Sequence, residues 1–263
     1  MRQPMIPPRA VLAAVSFSEP SRVALVLASR LARQCEAELH VLYVEDPLLD
    51  AAARHAGIDL VRDTERELRR LVANAWPAAL CAPQLHVVAG AAVDVILQVA
   101  HRHVADLIVV DGDRISGAEW FFFGSRIEGL MRSADVSLLV APADWQPAQP
   151  DAGDLSDLGP VIALVDRSDQ PSVAATKAAS ELASVLGTSV EVMHIVPGAE
   201  TPAALTKRLA EDNAGETERA PMLVLGKHVR SSRRGWSAAF VNRVLATATV
   251  PILWYVAEQI AQL

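Results

Sequence analysis

Apolar residues fall into short unbroken runs separated by longer stretches where they recur every three or four positions. Val11-Leu-Ala-Ala-Val15, Leu39-His-Val-Leu-Tyr-Val44, Leu107-Ile-Val-Val110 and Val136-Ser-Leu-Leu-Val140 are runs of the first kind. Each breaks into a polar turn or an amphipathic stretch, as strands joined by helical crossovers do. A run such as Leu107–Val110 is apolar on both faces, which suits a strand covered by helices on both sides. Right-handed crossovers between such strands predict an open, doubly wound sheet.

The pattern occurs twice. Val11-Leu-Ala-Ala-Val-Ser-Phe-Ser-Glu-Pro-Ser21 is echoed by Val161-Ile-Ala-Leu-Val-Asp-Arg-Ser-Asp-Gln-Pro-Ser172. Ala28-Ser-Arg-Leu-Ala32 parallels Ala179-Ser-Glu-Leu-Ala183, and the strand Leu39–Val44 parallels Val190–Val196. The ends correspond as well: Ala105–Val110 with Ala220–Leu225, and Val136–Val140 with Val250–Trp254. Five matched elements in one order predict an internal repeat. The stretch Gln146 to Gly159, rich in Pro, Asp and Gly, has the composition of an exposed linker. Two domains are expected, residues 1–145 and 160–263, joined by residues 146–159. The second is shorter. Val44 and Ala105 stand 61 positions apart, whereas Val196 and Ala220 stand 24 apart. The extra length predicts a charged helix around Ile58 to Trp76 and a strand at Leu85 to Val88. The second copy passes instead almost directly into a helix at Thr201 to Asn213.

In such sheets ligands bind beyond the carboxyl ends of the strands. The loops to inspect are therefore Ser16–Ser21, Asp111–Ser125, Asp166–Ser172 and Gly226–Ala239. Their motifs, in order, are Val15-Ser-Phe-Ser-Glu19, Gly90-Ala-Ala-Val-Asp94, Ala105-Asp-Leu-Ile-Val-Val-Asp-Gly-Asp-Arg114 and Gly124-Ser125. The second copy offers Val165-Asp-Arg-Ser-Asp169 and Leu223-Val-Leu-Gly-Lys-His228. In these motifs and their order the chain resembles the universal stress proteins, of the tandem type. The resemblance implies two flavodoxin-like units of the adenine nucleotide alpha hydrolase kind: a first with five parallel strands, and a second truncated to about four. It also implies that the last strands, Val136–Ala141 and Pro251–Val256, meet inside one chain as a pseudo-dimer.

In ATP-binding members an Asp after the first strand, backbone groups after the second and a glycine loop hold the nucleotide. Glycine lets backbone N–H groups approach phosphate, and the following helix N-terminus favours negative charge. Carried over, the first site comprises Ser16, Val44, Gly112, Arg114, Gly124 and Ser125, and the second Asp166, Ile195, Gly226 and His228. Both are incomplete. Ser16 stands at the Asp position, and Asp111 and Arg114 replace the leading glycines, with Gly112 one residue out of register. In the second copy Val229 replaces a glycine and Ala238-Ala239 replaces the Gly-Ser pair. Carboxylates at Asp111 and Asp113 would repel phosphate, with Arg114 offsetting part of the effect.

The remaining chemistry is sparse. Trp120-Phe-Phe-Phe123, in the loop before Gly124, reads either as an apolar cluster buried at an interface or as the cover of a ligand pocket. Lys227, His228, Arg230, Arg233 and Arg234 read as a solvated turn offsetting a helix end, or as an anion site. His101 and His103 are two apart on a helix and point to different faces, so the pair is no metal site. Asp94 and Asp106 read as ordinary helix and strand-edge charges. Ser125 has no hydrolase elbow around it, and neither a dinucleotide fingerprint nor a phosphate-binding P-loop occurs. Cys35 and Cys81 lack the spacing of a disulfide framework or thiolate metal site.

A net charge of −7 disfavours nucleic acid as a partner. No apolar run reaches the roughly 18–20 residues that span a bilayer. These features predict a cytoplasmic protein, neither nucleic-acid- nor membrane-bound. The first functional expectation is a non-catalytic stress-response protein acting through protein contacts or self-association, with an eroded ATP site and no cofactor. The alternatives are an ATP-binding universal stress protein with slow hydrolysis, its ATP in the first domain, and a regulator or enzyme acting on another anionic small molecule.

Overall fold

The computed structural model describes residues 6–75, 82–112, 120–142, 145, 155–166, 171–195, 219–227, 244 and 248–256. Strands β1 (Ala10–Val15), β2 (Glu38–Glu45), β3 (Gln84–Ala89), β4 (Leu107–Gly112) and β5 (Ser137–Pro142) alternate with helices α1 (Glu19–Gln34), α2 (Pro47–His55), α3 (Leu60–Ala75), α4 (Ala92–Arg102) and α5 (Trp120–Ser133). Then come β6 (Leu158–Asp166), α6 (Pro171–Leu186), β7 (Val190–Ile195), β8 (Ala220–Lys227) and β9 (Ile252–Val256). The expected helix at Thr201 to Asn213 lies outside the described residues.

Local sequence sets the helix starts. Ser18 caps α1, its hydroxyl accepting from Ser21 N, with Pro20 in the first turn. Asp46 caps α2 in the same way ahead of Pro47. In α3 only Thr64, Leu68 and Val72 are buried, a stripe at four-residue spacing. Its outer face carries Asp63–Arg66, Glu65–Arg69 and Glu67–Arg70 ion pairs.

The nine strands of the described residues join one sheet in the order β3-β2-β1-β4-β5-β9-β8-β6-β7. Every neighbouring pair is parallel except β5 and β9, which run antiparallel with Leu138 opposite Trp254 and Val140 opposite Ile252. The strands on either side of that junction therefore end at opposite edges of the sheet. Val136–Ala141 and Pro251–Val256 do meet, and Val256 N also donates to Ser137 Oγ at 3.2 Å.

Side-chain alternation sends the strands into two cores. Val11, Ala13, Val161 and Ala163 pack with α1, α3 and α6; Leu12, Ala14, Ile162 and Leu164 pack on the other face, the face of α4 and α5. The end of the expected linker is mostly buried. Leu155, Asp157 and Leu158 are buried, because Asp157 is paired with Arg30 of α1 and both leucines belong to the α1–α6 core. Among the described residues, no helix is long and apolar enough to cross a membrane.

Candidate functional site

The carboxyl ends of β1, β2 and β4 lie side by side, because β1 sits between the other two. Val15 is opposite Tyr43, and Ala14 is opposite Val110. This register brings Ser16, Val44 and Gly112 to one edge. Asp166 and Ile195 are opposite one another at the ends of β6 and β7, and Gly226 lies near the end of β8. These three occupy the other edge of the sheet. Arg114 and His228 lie outside the described residues.

At the first edge, polar groups are engaged by the chain itself. Ser16 Oγ donates to Ser18 Oγ at 3.0 Å and accepts from Ser18 N at 3.3 Å. Ser16 N donates to Ser21 Oγ at 2.6 Å. Ser16, at the position of the expected ligand-binding carboxylate, thus belongs to a serine network that caps α1. Next to it Phe17 stacks on Tyr43 with ring centroids 4.6 Å apart. Burial, with the nearby Glu45 charge, raises the Tyr43 phenol above its usual pKa. Glu45 is itself buried and accepts from Thr64 Oγ1 of α3, while its carbonyl accepts from Gly90 N at 3.1 Å.

Several residues expected in loops are strand residues. Asp111 and Gly112 continue β4, opposite Ala141 and Pro142 of β5. Gly226 and Lys227 continue β8, opposite Tyr255 and Val256. Asp166 is the last residue of β6. In each case the polar or glycine letter ends the apolar run, but the backbone ladder still includes it, since main-chain hydrogen bonds do not depend on side-chain polarity. Gly124, Ser125 and the aromatic run Trp120–Phe123 fall within α5, not in the loop before it. Nothing in Trp120-Phe-Phe-Phe breaks a helix, so α5 begins ahead of the Gly-Ser pair.

Asp111 has a partner that the spacing did not suggest. Its carboxylate is 2% exposed and accepts from Arg126 Nη2 of α5 at 2.9 Å. The guanidinium offsets the negative charge expected to repel phosphate, and it does so by occupying that end of β4. Gly112 serves packing: a Cβ there would lie 3.0 Å from Val140 Cγ1 and 3.2 Å from the Ala141 carbonyl oxygen. Gly90 is likewise a close-approach residue, since a Cβ would meet Val95 Cγ2 of α4 at 2.6 Å.

At the opposite edge Lys227 Nζ donates to the carbonyl oxygens of Arg132 (3.1 Å) and Ala134. Those carbonyls are the free acceptors at the end of α5, where a cation is favoured. Lys227 therefore fits the reading of a cation that offsets a helix end, and burial lowers its pKa. Asp106, read as an ordinary strand-edge charge, is buried and accepts from the backbone N–H groups of Arg9 (2.8 Å) and Ala10 (3.3 Å). It ties the start of β4 to the start of β1. Cys35 is a free thiol whose pKa burial pushes up to about 11, which keeps it protonated and unreactive at neutral pH.

The arrangement defines an α/β protein with a mostly parallel sheet, helices on both faces, and the carboxyl ends of β1, β2 and β4 side by side. The chain belongs to the universal stress protein family, whose model matches residues 8–142. Among solved structures it is similar to a universal stress protein from Archaeoglobus fulgidus DSM 4304 (13% identity, TM-score 0.59, covering 95% of this chain and 97% of that one). It is similar also to a functionally unknown protein from Pseudomonas aeruginosa PAO1 (14%, TM-score 0.59, 95% and 93%). A third is a putative universal stress protein from Pseudomonas aeruginosa UCBPP-PA14 (15%, TM-score 0.57, 95% and 94%). No curated protein sequence matches the chain. At these identities the structural likeness establishes the fold.

Proposed function

We propose that the protein is a non-catalytic, regulatory universal stress protein that works through protein contacts, its ordinary ATP site eroded. The observation that carries this reading is the Asp111–Arg126 pair. An ATP cradle needs free backbone N–H groups and open space after the fourth strand. Here the last two residues of β4, leading into that position, are a buried carboxylate bound to a guanidinium and a glycine closely packed against β5. The serine network at Ser16–Ser21 supports the same conclusion, because its hydroxyls are turned to one another and to α1.

The reading includes a tandem arrangement: a complete unit in residues 1–145 and a truncated one in 160–263, paired as an internal pseudo-dimer in a cytoplasmic protein. Its support is the strand order. Outward from the antiparallel β5–β9 junction the sheet runs β5-β4-β1-β2-β3 on one side and β9-β8-β6-β7 on the other. The second order corresponds to the first with its outermost strand missing. An edge strand is the least costly to lose, since only one neighbour's hydrogen bonds are exposed.

Incubation with ATP and Mg²⁺ tests the non-catalytic part. Phosphate release should stay at the level of a protein-free blank. Release proportional to protein concentration and abolished by Ser125→Ala would favour an ATP-hydrolysing universal stress protein instead.

A further inference from the structure

Three imidazoles converge at the end of the sheet away from the Ser16–Gly112 edge. His40 is the third residue of β2 and His86 the third of β3, its neighbour in the sheet. His103 is the C-cap of α4, the helix that returns across the same face. One ring nitrogen from each lies within 4.8 Å of the other two. His40 Nδ1 and His86 Nε2 are 3.1 Å apart. The ring of His103 sits 4.5 Å, centroid to centroid, from each of the others.

We propose that His40, His86 and His103 bind one divalent transition-metal ion of the zinc class. Zinc bonds to imidazole at about 2.0–2.1 Å, which puts ligand nitrogens of a tetrahedral site roughly 3.3 Å apart. The 3.1 Å separation of His40 and His86 already meets that spacing, and small ring rotations bring His103 to it. Imidazole suits zinc, copper, nickel and iron over the hard cations that prefer oxygen. Three protein nitrogens leave a fourth position for water, on the side where His86 and His103 are half-buried.

The surroundings favour such an ion. His40 is 1% exposed and its Nε2 has no hydrogen-bond partner. Glu38 Oε2 stands 3.6 Å from that nitrogen, so a slight turn of its exposed side chain completes a carboxylate–histidine–metal relay. With its proton on Nε2, His40 presents the Nδ1 lone pair to the metal. His103 caps the C-terminus of α4, where a nearby cation is favoured. Burial and mutual repulsion hold His86 down to about 4 and lower His40 too, and the Arg102 charge adds to the effect on His86. His40 and His86 therefore favour the neutral form that a metal requires. His101 takes no part: its Nε2 pairs with Asp135 at 2.7 Å.

The test is a zinc titration of the metal-free full chain, without a histidine tag, read by calorimetry and by the melting temperature. The expected result is one zinc per chain and a melting temperature that rises with zinc. His86→Gln and His103→Gln should each weaken binding by at least about 100-fold, while His101→Gln binds as the wild type does. Melting in excess chelator identifies any variant that has lost its fold; the half-buried C-cap variant His103→Gln keeps the test open if His86→Gln does not fold. Less than one equivalent of zinc, or undiminished affinity in folded His86→Gln or His103→Gln protein, would overturn the proposal.

Discussion

Arg30→Met is expected to lower the unfolding free energy by about 3–5 kcal/mol, the usual loss when one partner of a buried ion pair is removed. Arg30 and Asp157 are each 4% exposed at the side chain, and Arg30 Nη1 donates to both carboxylate oxygens, at 2.9 and 3.0 Å. Truncating the cation leaves the Asp157 charge buried opposite a methyl group. The loss is large because the pair joins α1 to the segment that opens β6, 127 residues later. The double variant Arg30→Met/Asp157→Leu removes both charges. It should recover to within about 2 kcal/mol of the wild type, since a buried pair replaced by apolar groups is often nearly neutral. Urea unfolding of the three proteins provides the comparison. A single variant within 1 kcal/mol of wild type, roughly the value of a surface pair, would show that this contact does not hold the two segments together.

The second large effect is a gain. The triple change Ser16→Asp, Asp111→Gly and Arg114→Gly should tighten ATP binding by at least about tenfold, or about 1.4 kcal/mol. Removing the Asp111 carboxylate opens the end of β4 and releases Arg126, whose guanidinium then faces the space where phosphate would sit. Charge-assisted hydrogen bonds from a guanidinium to phosphate are among the stronger ones available. Adding Arg126→Gln to the triple variant should cancel most of the gain. If the triple variant binds ATP no better than the wild type, erosion of this loop is not what weakens the site.

The strands were legible in the sequence because parallel strands covered on both faces must be apolar throughout. β1, β4, β5 and β8 are buried along almost their whole length. The α1 and α3 stripes were legible through their helical spacing. The meeting of Val136–Ala141 with Pro251–Val256 came from the family resemblance and not from the pattern itself. What stayed hidden were contacts that depend on two elements at once. Asp111 reads as a loop charge until Arg126 is brought over it by α5. Asp157 reads as linker until α1 supplies Arg30. The histidines were hidden in the same way. Leu39-His40-Val41 and Leu85-His86-Val87 carry the same tripeptide, yet only the pairing of β2 with β3 makes them neighbours. The spacing of His101 and His103 describes one helix, whereas His103 finds its partners on the sheet.

The most direct test of the central claim, that side chains of this protein have taken the place of a phosphate cradle, is calorimetric titration of the wild-type chain with ATP and Mg²⁺ up to submillimolar concentrations. No saturable binding is expected in that range. A saturating isotherm with one ATP per chain, lost when Gly124 and Ser125 are replaced, would contradict it.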